Sequence, residues 1–122
     1  MNQAEWTRLH FDRCWPWLEA AVERYGHTHA KEDIWRLIES GQAQLWPTEN
    51  AAMVTTITAY PTGMKELRFW LAGGALSELV AWEPLVVRFA KERGCSRVSI
   101  AGRGGWLRAL DGYRNALTVM VK

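Results

Sequence analysis

Gly102-Arg103-Gly104-Gly105-Trp106, with Arg108 just beyond, places two guanidiniums and an indole around a turn with three glycines in five residues. Each such glycine costs about 0.5–1 kcal/mol relative to Ala in a regular element, so the cluster points to positive φ angles or close backbone approach. Arg103, Trp106 and Arg108 on so bare a loop suit capture of a phosphate, a nucleotide or an acidic partner surface. The plainer alternative is a solvated turn with Trp106 packed inward. A second glycine pair lies in Leu71-Ala72-Gly73-Gly74-Ala75, just ahead of Ser77 and Glu78. Backbone N–H groups before a helix start can cradle an anion, with the helix dipole assisting; a mere turn is the competing reading.

The titratable candidates are fewer. Glu66 reads either as an edge charge or as a general base, and Tyr113 and His29 offer proton chemistry that no spacing singles out. His27-Thr28-His29 can bring two imidazoles to one side only when extended. No Cys, Asp or Glu stands at a zinc-like spacing nearby. Thr28 is therefore read as a helix cap between packing imidazoles, and no metal is expected. Cys14 and Cys95 form no CxxC or ligand-like group and are expected to be unpaired, packed as small hydrophobes.

Positioning these groups requires the following elements. Pro16 suits a first helical turn, continued by Trp17, Leu18, Ala21, Val22 and Tyr25 at helical spacing and ended by Gly26. Ile34, Leu37 and Ile38 mark a second helix over 30–40. Three strands follow at 42–47, 51–60 and 66–71. The turn Pro61-Thr62-Gly63 pairs the last two antiparallel. Alternation puts Leu67, Phe69 and Leu71 on one face, opposite Arg68 and Trp70, with Ala72-Gly73-Gly74 breaking the strand. A helical turn or two over 76–82, a helix restarted by Pro84, a strand at 98–100, a short helix around Trp106, Leu107 and Leu110, and a last strand at 116–121 complete the order αα-βββ-α-β-α-β. The strand–helix–strand unit from 66 to 101 implies a parallel crossover. The fold class is α/β, one domain over 1–122.

Composition narrows the function classes. With 15 basic and 13 acidic residues the net charge is +2, too balanced for nucleic-acid binding by bulk charge. No apolar run reaches membrane-spanning length, and Glu5, Arg8 and Asp12 occupy the place of a signal-peptide core. A cytoplasmic protein without a membrane partner is expected. Eight tryptophans are the compositional excess; they serve the core, or pocket walls and contact surfaces.

The segment 94–113, with its strand, glycine-rich turn, short helix and Gly112-Tyr113 pair, resembles the C-terminal half of the GNAT family of N-acetyltransferases. The resemblance covers most of the chain and implies a GNAT-like mixed β-sheet lacking the family's customary first strand. Five segments resemble small GNAT-like proteins of tailed bacteriophages: His27-Thr28-His29, Gln44-Leu45-Trp46-Pro47, Phe69-Trp70-Leu71-Ala72-Gly73-Gly74, Gly94-Cys95 and Gly102 to Trp106. Active family members bind acetyl-CoA through a loop of the form Gln/Arg-x-x-Gly-x-Gly/Ala. Leu71 to Ala75 occupies that place here, without the leading Gln or Arg. The family's usual acid is a Tyr four residues before the glycine; that position here holds Arg108, whose guanidinium keeps its proton and so cannot fill the role. The resemblance thus implies a catalytically degenerate domain with no cofactor, acting as a binding or virion-assembly module on a phage or host protein. The alternative is an acetyl-CoA-dependent N-acetyltransferase.

Overall fold

Phe11, Cys14, Leu18, Ala21 and Val22 recur at helical spacing and form the buried stripe of α1 (Gln3–Arg24). The fold comes from a computed structural model that describes residues 1–24, 26–102 and 109–122. α1 starts at Gln3 rather than at Pro16, which lies exposed inside the helix. Losing one N–H on the solvent side is tolerated where buried residues hold both flanks. Gly26, at φ 94°, ends this helical region. In α2 (Lys31–Glu39), Asp33 Oδ2 accepts the Ala30 N–H at 2.9 Å. Thr28 is not the cap; its hydroxyl lies 2.8 Å from His29 Nδ1. Arg8 forks onto Glu32 at 2.8 and 3.0 Å, and Asp12 takes Lys31 at 2.9 Å, fixing α1 against α2.

Four strands form one sheet in the order β1 (Ala43–Pro47), β2 (Ala51–Ala59), β3 (Lys65–Gly74), β4 (Arg97–Ile100). The first three pair antiparallel, and β4 lies parallel to β3 as the crossover requires. The molecule is therefore mixed α/β. The connecting helix, α3 (Leu76–Glu92), is continuous; Pro84 sits within it on the exposed side and does not restart it.

Each face of the sheet carries a core. Phe11, Leu18 and Ile34 from α1 and α2 meet Ala52, Val54 and Leu71 on one face. Leu79, Val86 and Ala90 of α3 meet Met53, Leu67 and Phe69 on the other. Burying side chains of this size contributes about 1.5–3 kcal/mol each. Leu71 thus departs from the expected alternation. The register passes from Thr55↔Phe69 to Val54↔Leu71, so Trp70 is an extra residue, and this bulge carries Leu71 to the face opposite Phe69. Ala72, Gly73 and Gly74 pair with β2 and belong to β3 instead of breaking it. Of the eight tryptophans, Trp15, Trp17, Trp35 and Trp70 lie half-buried against the first core and Trp46 and Trp82 against the second, while Trp6 is 44% exposed.

Two expectations concern the C-terminal region. The short helix falls mainly on 103–108, outside the described residues. The terminal strand is corrected: 116–121 lies outside regular structure, with Leu117, Val119, Met120 and Val121 exposed. A β-rich sequence gains nothing from extension without a ladder partner or a buried face. No helix among the described residues is long and apolar enough to cross a membrane.

Candidate functional site

Among the described residues β3 and β4 pair from Glu66↔Arg97 to Phe69↔Ile100, and β3 then runs on to Gly74. The strand therefore has two distinct ends, and the sequence candidates divide between them.

The C-terminal end holds Leu71 to Ala75. A Cβ built on Gly73 would lie 2.5 Å from the Trp17 carbonyl oxygen of α1, closer than any side chain tolerates. Gly74, at φ 95°, would drive a Cβ into the Asn50 carbonyl oxygen and Ala51. The close approach that these glycines allow is thus taken by the protein's own backbone. The helix start beside them is likewise occupied. The Ala75 N–H donates to Asn50 O at 2.9 Å. Glu78 Oε1 accepts from the Thr48 hydroxyl at 2.5 Å and from the Asn50 N–H at 2.8 Å. Those two bonds, Thr48 first, hold the Glu78 carboxyl below its ordinary range, so a negative charge already sits at the positive end of α3.

Where β3 and β4 part, Met53, Phe69, Ala72, Leu79, Ile100 and Leu110 are among the residues lining a cavity of about 10 Å³, space for roughly one water. Leu110 is buried there. Tyr113, half-buried, donates its hydroxyl to Glu83 Oε1 at 3.1 Å across the same cleft wall. Burial, then the Glu83 charge and hydrogen bond, push the Tyr113 phenol well above its ordinary pKa. It is a poorer proton donor than a free tyrosine.

The N-terminal end holds Glu66, which is 2% exposed and so not the exposed edge charge that its sequence position allows. Both carboxylate oxygens are engaged. Arg97 Nε donates to Oε1 at 2.5 Å; the Ser99 hydroxyl and Arg68 Nη2 donate to Oε2 at 2.8 and 3.1 Å. Burial alone would raise the carboxyl pKa, but the Ser99 and Arg97 hydrogen bonds and the charges of Arg97 and Arg68 outweigh it, and the net direction is down. An ionised carboxylate that already accepts three charge-assisted or hydroxyl hydrogen bonds, and whose pKa is lowered, is a weak base toward a substrate. Register places Glu66 and Arg68 beside Thr58 and Thr56, on the sheet face that α1 and α2 cover further along. Arg97 also lies over the Tyr60 ring, 5.9 Å from its centroid.

Glu66 and Tyr113 are therefore not brought together: one belongs to the face that α1 and α2 cover, the other to a wall built by α3. His29 meets neither; its ring packs edge-on to Trp70 at 4.8 Å. Cys14 and Cys95 are both free thiols, as expected. Arg103, Trp106 and Arg108 lie outside the described residues. Sequence reasoning missed the partners Arg68, Arg97 and Ser99. The available signal was Glu and Arg two apart on one strand and Arg and Ser two apart on the next, a spacing that puts all four on one face once the strands pair in parallel. No family model, curated protein or solved structure matches the chain.

Proposed function

We propose that this chain is a GNAT-like domain that does not transfer acetyl groups and instead works as a protein-binding module in the assembly of a tailed-phage particle. The layout that supports the family reading is the succession of two helices, three antiparallel strands, a helix and a strand parallel to the third. The phage setting rests on the sequence resemblance and is the proposal's broadest element.

One observation carries the loss of catalysis: Gly73 is pressed on the Trp17 carbonyl. The backbone that would receive a pyrophosphate is thereby committed to α1. The surrounding chemistry agrees with it. Glu78 places a carboxylate where phosphates would lie, Tyr113 is bound to Glu83, and Glu66 already accepts three hydrogen bonds. The competing reading, an acetyl-CoA-dependent N-acetyltransferase, draws support from the parting of β3 and β4, which opens an apolar cleft beside the start of α3. The cleft's small volume weighs against it. Calorimetric titration of the full chain with acetyl-CoA decides between the two, and no binding in the micromolar range is expected.

A further inference from the structure

The N-terminal end of β3 carries more positive charge than its buried carboxylate needs. Arg97 and Ser99 alone occupy both oxygens of Glu66. Arg68 is added to them, so that two guanidiniums face one carboxylate and one positive charge is left over. An arginine presents five N–H donors in a rigid fork. Arg68 spends Nε on Ser99 and one Nη2 hydrogen on Glu66; Arg97 gives Nε to Glu66 and also engages the Tyr60 side chain, and the remaining guanidinium hydrogens are the ones open to a partner. The two side chains are 47% and 55% exposed. Among the described residues neither meets a carboxylate other than Glu66.

Resting on the binding-module reading, we propose that Arg68 and Arg97 form a docking site for a carboxylate of an acidic segment on a protein partner. The Glu66 anchor restrains both forks before the partner arrives, which lowers the ordering cost of two long side chains. Thr56 and Thr58, in register beside them, add hydroxyls to the same face. Lys65, whose Nζ donates to the Arg93 carbonyl at 2.6 Å, keeps a further positive charge at this end. A partner carboxylate completes a bidentate pair with a guanidinium, the strongest geometry for that group. Charge complementarity selects an acidic protein over nucleic acid. The chain has a near-balanced 15 basic and 13 acidic residues, and the carboxylate at the base of the fork repels a dense polyanion.

The test is an NMR titration of the full chain, labelled with ¹⁵N, using a capped hexapeptide of alternating Asp and Glu, its Asn/Gln counterpart and a short duplex DNA. The acidic peptide should shift the Arg68 and Arg97 side-chain signals and the amides of 66–68 and 97–99 saturably. The neutral peptide should not. Arg68→Gln should weaken binding at least tenfold, because Arg97 and Ser99 still hold Glu66 and the fold persists. Arg88→Gln, the same charge change on an arginine of α3 that is 78% exposed, should alter it less than twofold. If Arg68→Gln does not fold, Arg68→Lys, which keeps the charge and loses the fork, must show the same tenfold loss. The proposal is overturned by absent or unsaturable shifts, by equal responses of the two glutamine variants, or by tighter binding of the duplex. Acetyl-CoA binding would instead overturn the non-catalytic reading and leave this site standing.

Discussion

The two ends of β3 use similar raw material in opposite ways. At Gly73 and Gly74 the strand is stripped of side chains, and the space gained is filled by Trp17, Asn50 and Ala51 of the same chain. At Glu66 and Arg68 the strand carries full charges, and the buried carboxylate holds arginines that are about half exposed. One end spends its distinctive residues on internal packing; the other presents them outward. The lesson is that a glycine pair before a helix identifies a close approach but not the group that approaches.

Gly73→Val gives the largest effect and attacks the comparison directly. A Cβ against a backbone carbonyl must displace α1 from β3, a loss of about 3 kcal/mol by the usual cost of overpacking, read from the urea midpoint. If the glycine served an incoming ligand, the variant would keep its stability.

Glu66→Gln probes the other end. Removing the charge from a site with three donors should cost about 2 kcal/mol, within the range for hydrogen bonds to ionised groups. The pH dependence has a definite sign. The folded carboxyl pKa lies below the ordinary value of about 4.3, so its stabilisation is present above that value and lost as pH falls through the folded pKa. Denaturant unfolding of wild type and Glu66→Gln should differ most near neutral pH and converge on acidification. A gap that widens in acid would mean that the carboxyl is protonated in the native state.

Tyr113→Phe is the smallest change. Losing one hydrogen bond to Glu83 should cost about 1 kcal/mol in the same assay. If the variant gains acetyl-CoA binding, the Tyr113–Glu83 contact and not the glycine packing is what closes the cleft.

The element order was legible through β4 because local periodicity and turn chemistry determine it: Thr55, Ile57 and their neighbours make β2, and Gly26 stops a helix. The Trp70 bulge was not legible, since a one-residue register shift depends on how β2 meets β3 and leaves no mark on alternation within β3. Pro16 and Pro84 misled for a related reason. Proline's local cost is fixed, whereas the packing that overrides it comes from residues across the fold. The terminal segment had strand propensity but, among the described residues, no ladder partner. The Glu66 cluster could be foreseen only by assuming the parallel register with Arg97 and Ser99. Occupation of the Gly73 site by Trp17 joins positions far apart in sequence and has no local signature.

Calorimetry of the wild-type chain with acetyl-CoA tests the closed end of β3 most directly. A cleft as small as the one Leu110 helps line, and a glycine committed to α1, predict no heat of binding up to high micromolar ligand. A dissociation constant of about 10 µM or tighter, in the range common for enzyme substrates, would contradict the account.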